Sequence, residues 1–196
     1  MAKIYAGIGS RQTPPEMLEQ MEQIAEKLAE LGWVCRTGGA PGADQAFEAG
    51  ARRGGGDEAV ELWLPWKGFE DREGNFPSEA AYTMAAEYHP GWDYLRRGAR
   101  ALMARNCHQV LGADLKSPVQ AIICWTPDGS LDGNSRKSGG TGMALRIAQD
   151  HPTIKVFNLQ NAEHLRRVSD WLGFPEEERL SEANPADETK KQAPLF

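Results

Sequence analysis

The sequence predicts an α/β domain with a single, doubly wound, mostly parallel β-sheet and helices on both faces. Short apolar runs alternate with amphipathic segments over residues 1–174, which is the pattern of successive βαβ units. Three of these runs lead, directly or shortly afterwards, into glycine-rich turns that precede helices. The most apolar run, VQAIICWTP, lacks polar alternation, as expected of a central parallel strand buried on both faces.

The first half of the chain predicts three strands and two helices. The helix TPPEMLEQMEQIAEKLAELG begins with prolines, places apolar residues at helical spacing and ends at a glycine. The second predicted helix is ADQAFEAGARRG, and the predicted strands are KIYAGIG, WVCRTGG and AVELWLPW. This alternation is typical of parallel strands joined by crossover helices.

The second half predicts further helices around the central strand and one more strand. A polar loop and a helix interrupted at Pro90 and Gly91 precede the helix RRGARALMARNCHQVLG. After the central strand come a glycine turn and helix in SGGTGMALRIAQDH, the strand IKVFNL and the helix AEHLRRVSDWLG. Apolar periodicity ends at Pro175, so we divide the chain into a domain of residues 1–174 and a disordered, flexible tail of residues 175–196.

The composition excludes some classes of protein. The chain has 196 residues and a net charge of −6, whereas proteins that bind nucleic acid over their whole surface are usually basic. The three separated cysteines are expected to be reduced core thiols. The scattered histidines predict no metal site, and we predict no cofactor. The early first strand and the absence of bilayer-length apolar runs predict a cytoplasmic protein without membrane contact.

The three glycine-rich turns GIGSR, RTGGAPGAD and SGGTG are expected to meet at the carboxyl edge of the sheet, where α/β proteins bind ligands. Each precedes a helix whose first amides are unpaired and carry partial positive charge. Glycine also lets a ligand approach the backbone. The turns therefore predict a phosphate-binding site, although each glycine alone is equally well explained by a tight turn. The side-chain donors predicted for this site are Ser10, Arg11, Thr37, Ser138 and Thr141.

Four segments resemble, in order, the motifs of the DNA-processing protein A family. They are YAGIGSRQTPP, RTGGAPGADQAFEAGA, MARNCHQVLG and SGGTGMALRIA. The resemblance implies a Rossmann-like fold of the SLOG superfamily, a recombination mediator that binds nucleotide or single-stranded DNA, and a possible homodimer. TGGAPGAD departs from the family pattern because a basic residue is missing there. The resemblance implies that the phosphates contact Gly9, Ser10, Arg11, Gly38, Gly39, Gly42, Asp44, Arg105, Asn106, Ser138, Gly139, Gly140 and Thr141.

An enzymatic alternative comes from the same superfamily, which also contains phosphoribohydrolases with the motif PGGxGTxxE. Alignment of the glycines places Leu145 and Arg146 where the acidic residues should be. The remaining candidate carboxylates for an N-glycosidase are Asp44, Glu48 and Asp128. Asp44 is equally well explained as the N-cap of the second helix, and Glu48 as part of a solvated helix face.

Aromatic and basic residues near the same edge suggest a surface for a single strand. Trp66 and Trp125 are candidates for base stacking, with core packing as the alternative. A local positive patch, or alternatively a solvated helix face, is predicted at Lys67, Arg96, Arg97, Arg100 and Arg105.

The terminal pentapeptide QAPLF resembles the Q-x-x-L-F peptide with which bacterial replication and repair proteins dock on the sliding clamp. Its matching residues are Gln192, Leu195 and Phe196. A chance match and a terminus that packs on the domain are the alternatives.

The residues leave three hypotheses about function. The first is a nucleotide- or single-stranded-DNA-binding protein of DNA metabolism, linked to recombination or replication. The second is a nucleoside-monophosphate N-glycosidase, and the third is a protein that senses or sequesters a nucleotide signal.

Overall fold

Five β-strands and six α-helices make up residues 3–174, the part of the chain that the computed structural model describes. The strands are β1 (Lys3–Gly9), β2 (Trp33–Thr37), β3 (Val60–Leu62), β4 (Ala121–Trp125) and β5 (Lys155–Asn158). The helices are α1 (Pro15–Glu30), α2 (Ala43–Gly55), α3 (Glu79–Tyr88), α4 (Arg97–Leu111), α5 (Thr141–Gln149) and α6 (Ala162–Leu172). None of these helices is long and apolar enough to cross a membrane. The predicted tail, with Gln192, Leu195 and Phe196, lies outside the described residues.

All five strands lie in one sheet with the order β3–β2–β1–β4–β5, and every neighbouring pair is parallel. Tyr5 of the central strand is in register with Cys35 of β2 on one side and Ala121 of β4 on the other. The strand order runs outward in both directions from β1, so the winding reverses between β1 and β4. In doubly wound sheets this switch point forms the ligand crevice. The structure confirms the predicted fold class.

Helices cover both faces of the sheet and bury two apolar cores. On one face, Tyr5 packs edge-on against Phe47 of α2 at a ring-centroid distance of 6.2 Å, and α1 and α6 join the same core. On the other face, Ala6 and Ile8 pack with α3, α4 and α5. All residues of β4 are buried, as its apolar sequence predicts, but the middle strand of the sheet is β1, and β4 lies between β1 and the edge strand β5. The three cysteines, Cys35, Cys107 and Cys124, are buried and form no disulfide, as expected.

The third strand is shorter than the sequence predicts. AVELWLPW predicts eight extended residues, but β3 ends at Leu62. Beyond that point the chain pairs with a later loop, because Leu64 N donates to Asn75 O at 2.7 Å and Asn75 N donates to Leu62 O at 2.8 Å. These bonds pair backbone groups at the outer edge of the sheet with the later loop. Trp66 lies beyond the end of β3 and is not part of the sheet.

α1 and α2 approach closely at Gly50, where an added Cβ would collide with the carbonyl oxygen of Glu22. We expect Gly50→Ala to lower the free energy of unfolding by about 2 kcal/mol, because overpacking forces the helices apart. Gly98→Ala is the matched control in α4, where the nearest atom to the added Cβ lies 3.7 Å away on Trp66. It should leave stability unchanged or raise it by up to about 1 kcal/mol. Urea denaturation measures both, and equal losses would contradict the close approach.

Candidate functional site

A pocket of about 360 Å³ opens at the carboxyl edge of the sheet, beside the ends of β1 and β4. Its walls come from residues 8–12, Ala40 and Asp44, the side of α4 between Leu102 and Gln109, and residues 137–141. The pocket therefore lies at the switch point of the sheet. The predicted site residues that line it are Gly9, Ser10, Arg11, Asp44, Arg105, Asn106, Ser138, Gly139, Gly140 and Thr141.

The second glycine turn lies behind the pocket and serves the packing of the protein itself. Gly38 makes room for Arg105, since an added Cβ would collide with its guanidinium. Gly42 has a φ of 89°, and an added Cβ there would lie 2.8 Å from the carbonyl oxygen of Ser10. The glycines of this turn therefore do not line the pocket, whereas Ala40 and Asp44 of the same turn do. Outside the pocket lining are Thr37, Gly38, Gly39 and Gly42.

A buried polar network forms the floor of the pocket. Nη2 of Arg105 lies 3.0 Å from Oδ2 of Asp44, and the two side chains are 7% and 4% exposed. Nη1 of Arg105 donates to Oε1 of Gln109 at 2.6 Å. Burial raises the pKa of the Asp44 carboxyl, while the adjacent Arg105 charge opposes that rise. The network joins α2 to α4 beneath the ligand space.

The late glycine turn supplies the start of α5 at the opposite wall. Gly139 has a φ of 54°, which favours glycine, and the helix begins at Thr141. Nδ2 of Asn106 donates to the carbonyl oxygen of Gly140 at 3.0 Å and ties this turn to α4. The amides of Gly142 and Met143 donate to the carbonyl oxygens of Gly139 and Gly140 at 3.3 and 3.2 Å, so what the helix start contributes to the pocket is its partial positive charge.

The rim of the pocket is positive although the protein is acidic. The lining contains three basic side chains, Arg11, Arg105 and Lys137, and one acidic side chain, Asp44. Asp44 pairs with Arg105. Arg11 and Lys137 are exposed and form no ion pair with any acidic residue in the described part of the chain. Their charges are available to an anionic ligand.

The two candidate stacking residues lie outside the pocket. Trp125 is 6% exposed and belongs to the core on the α1 and α2 face, so the stacking role proposed for it is corrected. Trp66 is 43% exposed and packs edge-on against Phe69 at a ring-centroid distance of 5.1 Å.

Two candidate carboxylates, Asp44 and Glu48, lie in different surroundings from those that the sequence predicts. Asp44 is not an N-cap, because α2 is capped by Gly42 and the Asp44 carboxylate accepts from Ala40 N at 3.4 Å. Glu48 does not lie on a solvated face: it is buried, outside the pocket lining, and pairs with Arg52 and Arg72.

Asp128 lies behind the late turn. Its carboxylate accepts from the hydroxyl of Ser138 at 3.4 Å, and it does not line the pocket. It is therefore placed to hold Ser138 in position.

Seven lining residues were missed by the sequence reasoning: Ile8, Gln12, Ala40, Leu102, Met103, Gln109 and Lys137. Gln109 stands four residues after Arg105, which places both on one side of α4. That spacing was a usable signal once Arg105 had been singled out. Among residues 3–174, no group of three or more His, Cys, Asp or Glu side chains is arranged to hold a metal ion.

No protein-family model matches the sequence, and no curated protein sequence matches it. A solved structure of DNA processing protein A from Helicobacter pylori, described for its single-stranded DNA binding mode, is similar over 88% of this chain and 79% of that chain. The two share 13% sequence identity, and the TM-score is 0.38. A likeness of this degree carries no argument about function, which rests on the pocket itself.

The buried pair at the floor predicts a large effect of its removal. We expect Asp44→Ala to lower the free energy of unfolding by about 3–5 kcal/mol, because it leaves the Arg105 charge buried without a partner. Urea denaturation is the measurement. Glu30→Ala is the matched control: it breaks the exposed pair with Lys27, whose side chains are 42% and 48% exposed, and should cost less than about 1 kcal/mol. Similar losses of unfolding free energy in the two variants would contradict a larger contribution of the buried pair to stability.

Proposed function

We propose that the protein binds a nucleotide, free or at the end of a single strand, with its phosphate at the rim of the switch-point pocket. One observation carries the proposal. Arg11 and Lys137, two basic side chains that have no acidic partner among residues 3–174, flank a pocket that the start of α5 also lines. The positive end of a helix binds phosphate in many unrelated proteins.

The size and lining of the pocket favour a nucleotide over a bare phosphate ion. Its volume of about 360 Å³ lies within the range of pockets for small organic ligands, roughly 300–1,000 Å³. Ile8, Leu102 and Met103 give part of the lining an apolar surface. An apolar wall beside a positive rim fits a molecule with an uncharged ring system and an anionic group.

We propose that the protein binds the nucleotide without cleaving it. Cleavage of an N-glycosidic bond needs a carboxylate near the developing positive charge. Among the lining residues, Asp44 has the only carboxylate, and this carboxylate forms an ion pair with Arg105.

The proposal predicts that the rim cations contribute to affinity through the phosphate. We expect Arg11→Gln and Lys137→Gln each to weaken binding of a nucleoside 5′-monophosphate about fivefold, the loss of about 1 kcal/mol of charge interaction. The matched control is Lys155→Gln, which removes the same charge from an exposed residue at the opposite end of the sheet. Calorimetric titration at low salt measures each affinity, and chromatography of the mixtures detects any released base.

Equal losses in all three variants would contradict a phosphate at the rim. No binding of any common nucleoside monophosphate or of oligo-dT would contradict the proposed function. Released free base would contradict binding without turnover.

A single strand is the second candidate ligand, because an exposed aromatic and basic surface adjoins the pocket. Leu102 of the pocket wall packs against the cluster that contains Phe69, and Phe69 contacts the exposed Trp66. Arg96 and Arg97 are exposed at the start of α4, on the same edge of the sheet. Stacking on an aromatic ring contributes about 1–3 kcal/mol per base. A steep fall of oligo-dT affinity with salt would favour the strand over a free nucleotide.

We further propose that the terminal peptide QAPLF docks on a bacterial sliding clamp. This proposal rests on the sequence alone: Leu195 and Phe196 are large apolar residues that follow the charged segment 176–191. Such anchors fit apolar pockets for extended peptides. Docking there would bring the nucleotide pocket to sites of DNA synthesis.

We expect the double substitution of Leu195→Ala and Phe196→Ala to weaken clamp binding at least about tenfold, since two anchor side chains are truncated. Surface plasmon resonance with immobilised bacterial clamp is the measurement. Lys190→Ala with Lys191→Ala is the control outside the pentapeptide and should retain most of the affinity. Wild-type protein that fails to bind the clamp would contradict the proposal, and nucleotide affinity should be the same in both variants.

A further inference from the structure

Trp66 carries an exposed aromatic ring next to the wall of the pocket. The residue is 43% exposed and packs edge-on on Phe69, which belongs to a small buried apolar cluster with Ala40. Ala40 and Leu102 line the pocket, and Leu102 packs against the same cluster. The cluster therefore connects the ring of Trp66 with the wall of the ligand space.

Helix α4 brings the same ring and the same pocket wall together from its own side. A Cβ added at Gly98 would lie 3.7 Å from the indole of Trp66, so the ring lies over bare backbone there. Leu102 follows Gly98 by four residues, which places both on one side of α4. Their separation along the helix axis is about 6 Å. One sugar-phosphate unit can span this separation.

The turn that carries the ring is held in an unusual conformation. Glu70 and Asp71 have φ values of 51° and 54°, in the left-handed region that residues with side chains seldom adopt. Such a backbone persists where its surroundings hold it. Phe69 is buried in the apolar cluster, and Nε of Arg72 lies 3.4 Å from Oε2 of the buried Glu48. The turn is thus fixed on both helical layers, so the ring needs little ordering when a ligand stacks on it.

Three exposed cations lie close to the ring in the chain or at the start of α4. Lys67 directly follows Trp66, and Arg96 and Arg97 come just before Gly98. None of the three forms an ion pair within residues 3–174. A phosphate that passes from the pocket towards Trp66 would meet positive charge, although the protein as a whole is acidic.

We infer that Trp66 forms a second subsite, on which the base of a neighbouring nucleotide stacks while the first nucleotide occupies the pocket. This inference rests on the proposed function and decides between its two candidate ligands: the full ligand is a single strand of at least two nucleotides. Stacking uses the face of a base, which all bases have, so the subsite selects for length and not for sequence.

The first test compares ligands on the wild-type protein. Calorimetric titration should show that the 5′-phosphorylated dinucleotide pdTpT binds at least about tenfold more tightly than thymidine 5′-monophosphate, the gain expected from stacking of one base. A dinucleotide with the same phosphates but no base at the second position should lose most of this gain. If this abasic ligand binds as tightly as pdTpT, charge alone explains the gain and the inference fails.

The second test changes the ring. Trp66→Leu should remove most of the gain from the second nucleotide, because leucine keeps an apolar contact but has no ring face, and Trp66→Phe should retain part of it. Affinity for the monophosphate should change less than about twofold in both variants, since Trp66 does not line the pocket. That affinity also reports that the pocket is folded.

Trp171→Leu is the matched control for Trp66→Leu. Trp171 is 45% exposed, close to the value for Trp66, and packs edge-on against Trp33 at a ring-centroid distance of 5.3 Å. Trp33 begins β2, so this second exposed indole lies at the end of the sheet opposite the pocket. Its replacement should leave the gain from the second nucleotide intact.

The outcomes separate the two proposals. If neither the monophosphate nor pdTpT binds the wild-type protein, the proposed function fails and this inference falls with it. If the monophosphate binds but pdTpT binds no more tightly, or if the gain survives Trp66→Leu, the inference fails while the proposed function stands. Loss of the gain in Trp66→Leu, with its retention in Trp171→Leu, supports the second subsite.

Discussion

The pairing of the Asp44 carboxylate with the Arg105 guanidinium connects the two helical layers at the carboxyl edge of the sheet. α2 packs on one face and α4 on the other, so their side chains meet beyond the strand ends. The missing side chain of Gly38 leaves space for the guanidinium. Either charge alone would be costly at this depth. Each residue therefore depends on the other, and the pocket floor depends on both.

This pairing also makes the floor of the pocket differ in charge from its rim. Because the floor charges cancel, the field in the pocket comes from the rim cations and the start of α5. Under the proposed function, the anionic group of the ligand is attracted to the exposed cations Arg11 and Lys137. Under the same proposal, such a ligand would be attracted to this local positive rim although the net charge of the protein is −6.

The glycine turns illustrate how similar sequence features take different roles. Gly139 shapes the start of α5 beside the pocket, whereas Gly38 and Gly42 permit contacts within the protein. The second turn still contributes to the site, because its tight path places Asp44 beneath the ligand space. The polar part of the site is thus built in two layers: residues that face the ligand, and glycines that let the layer beneath them close.

The sequence by itself determined the α/β class, the burial of β4 on both faces and the meeting of the first and third turns at one edge. These depend on local signals, namely apolar runs, helical spacing and glycine placement, and on the rule that parallel strands end on the same side. Only the tertiary structure decided that Trp125 belongs to the core, that Gly38 accommodates Arg105 and that Gln109 reaches the pocket. Those outcomes depend on which distant side chains share a space, and short-range sequence patterns do not contain that information.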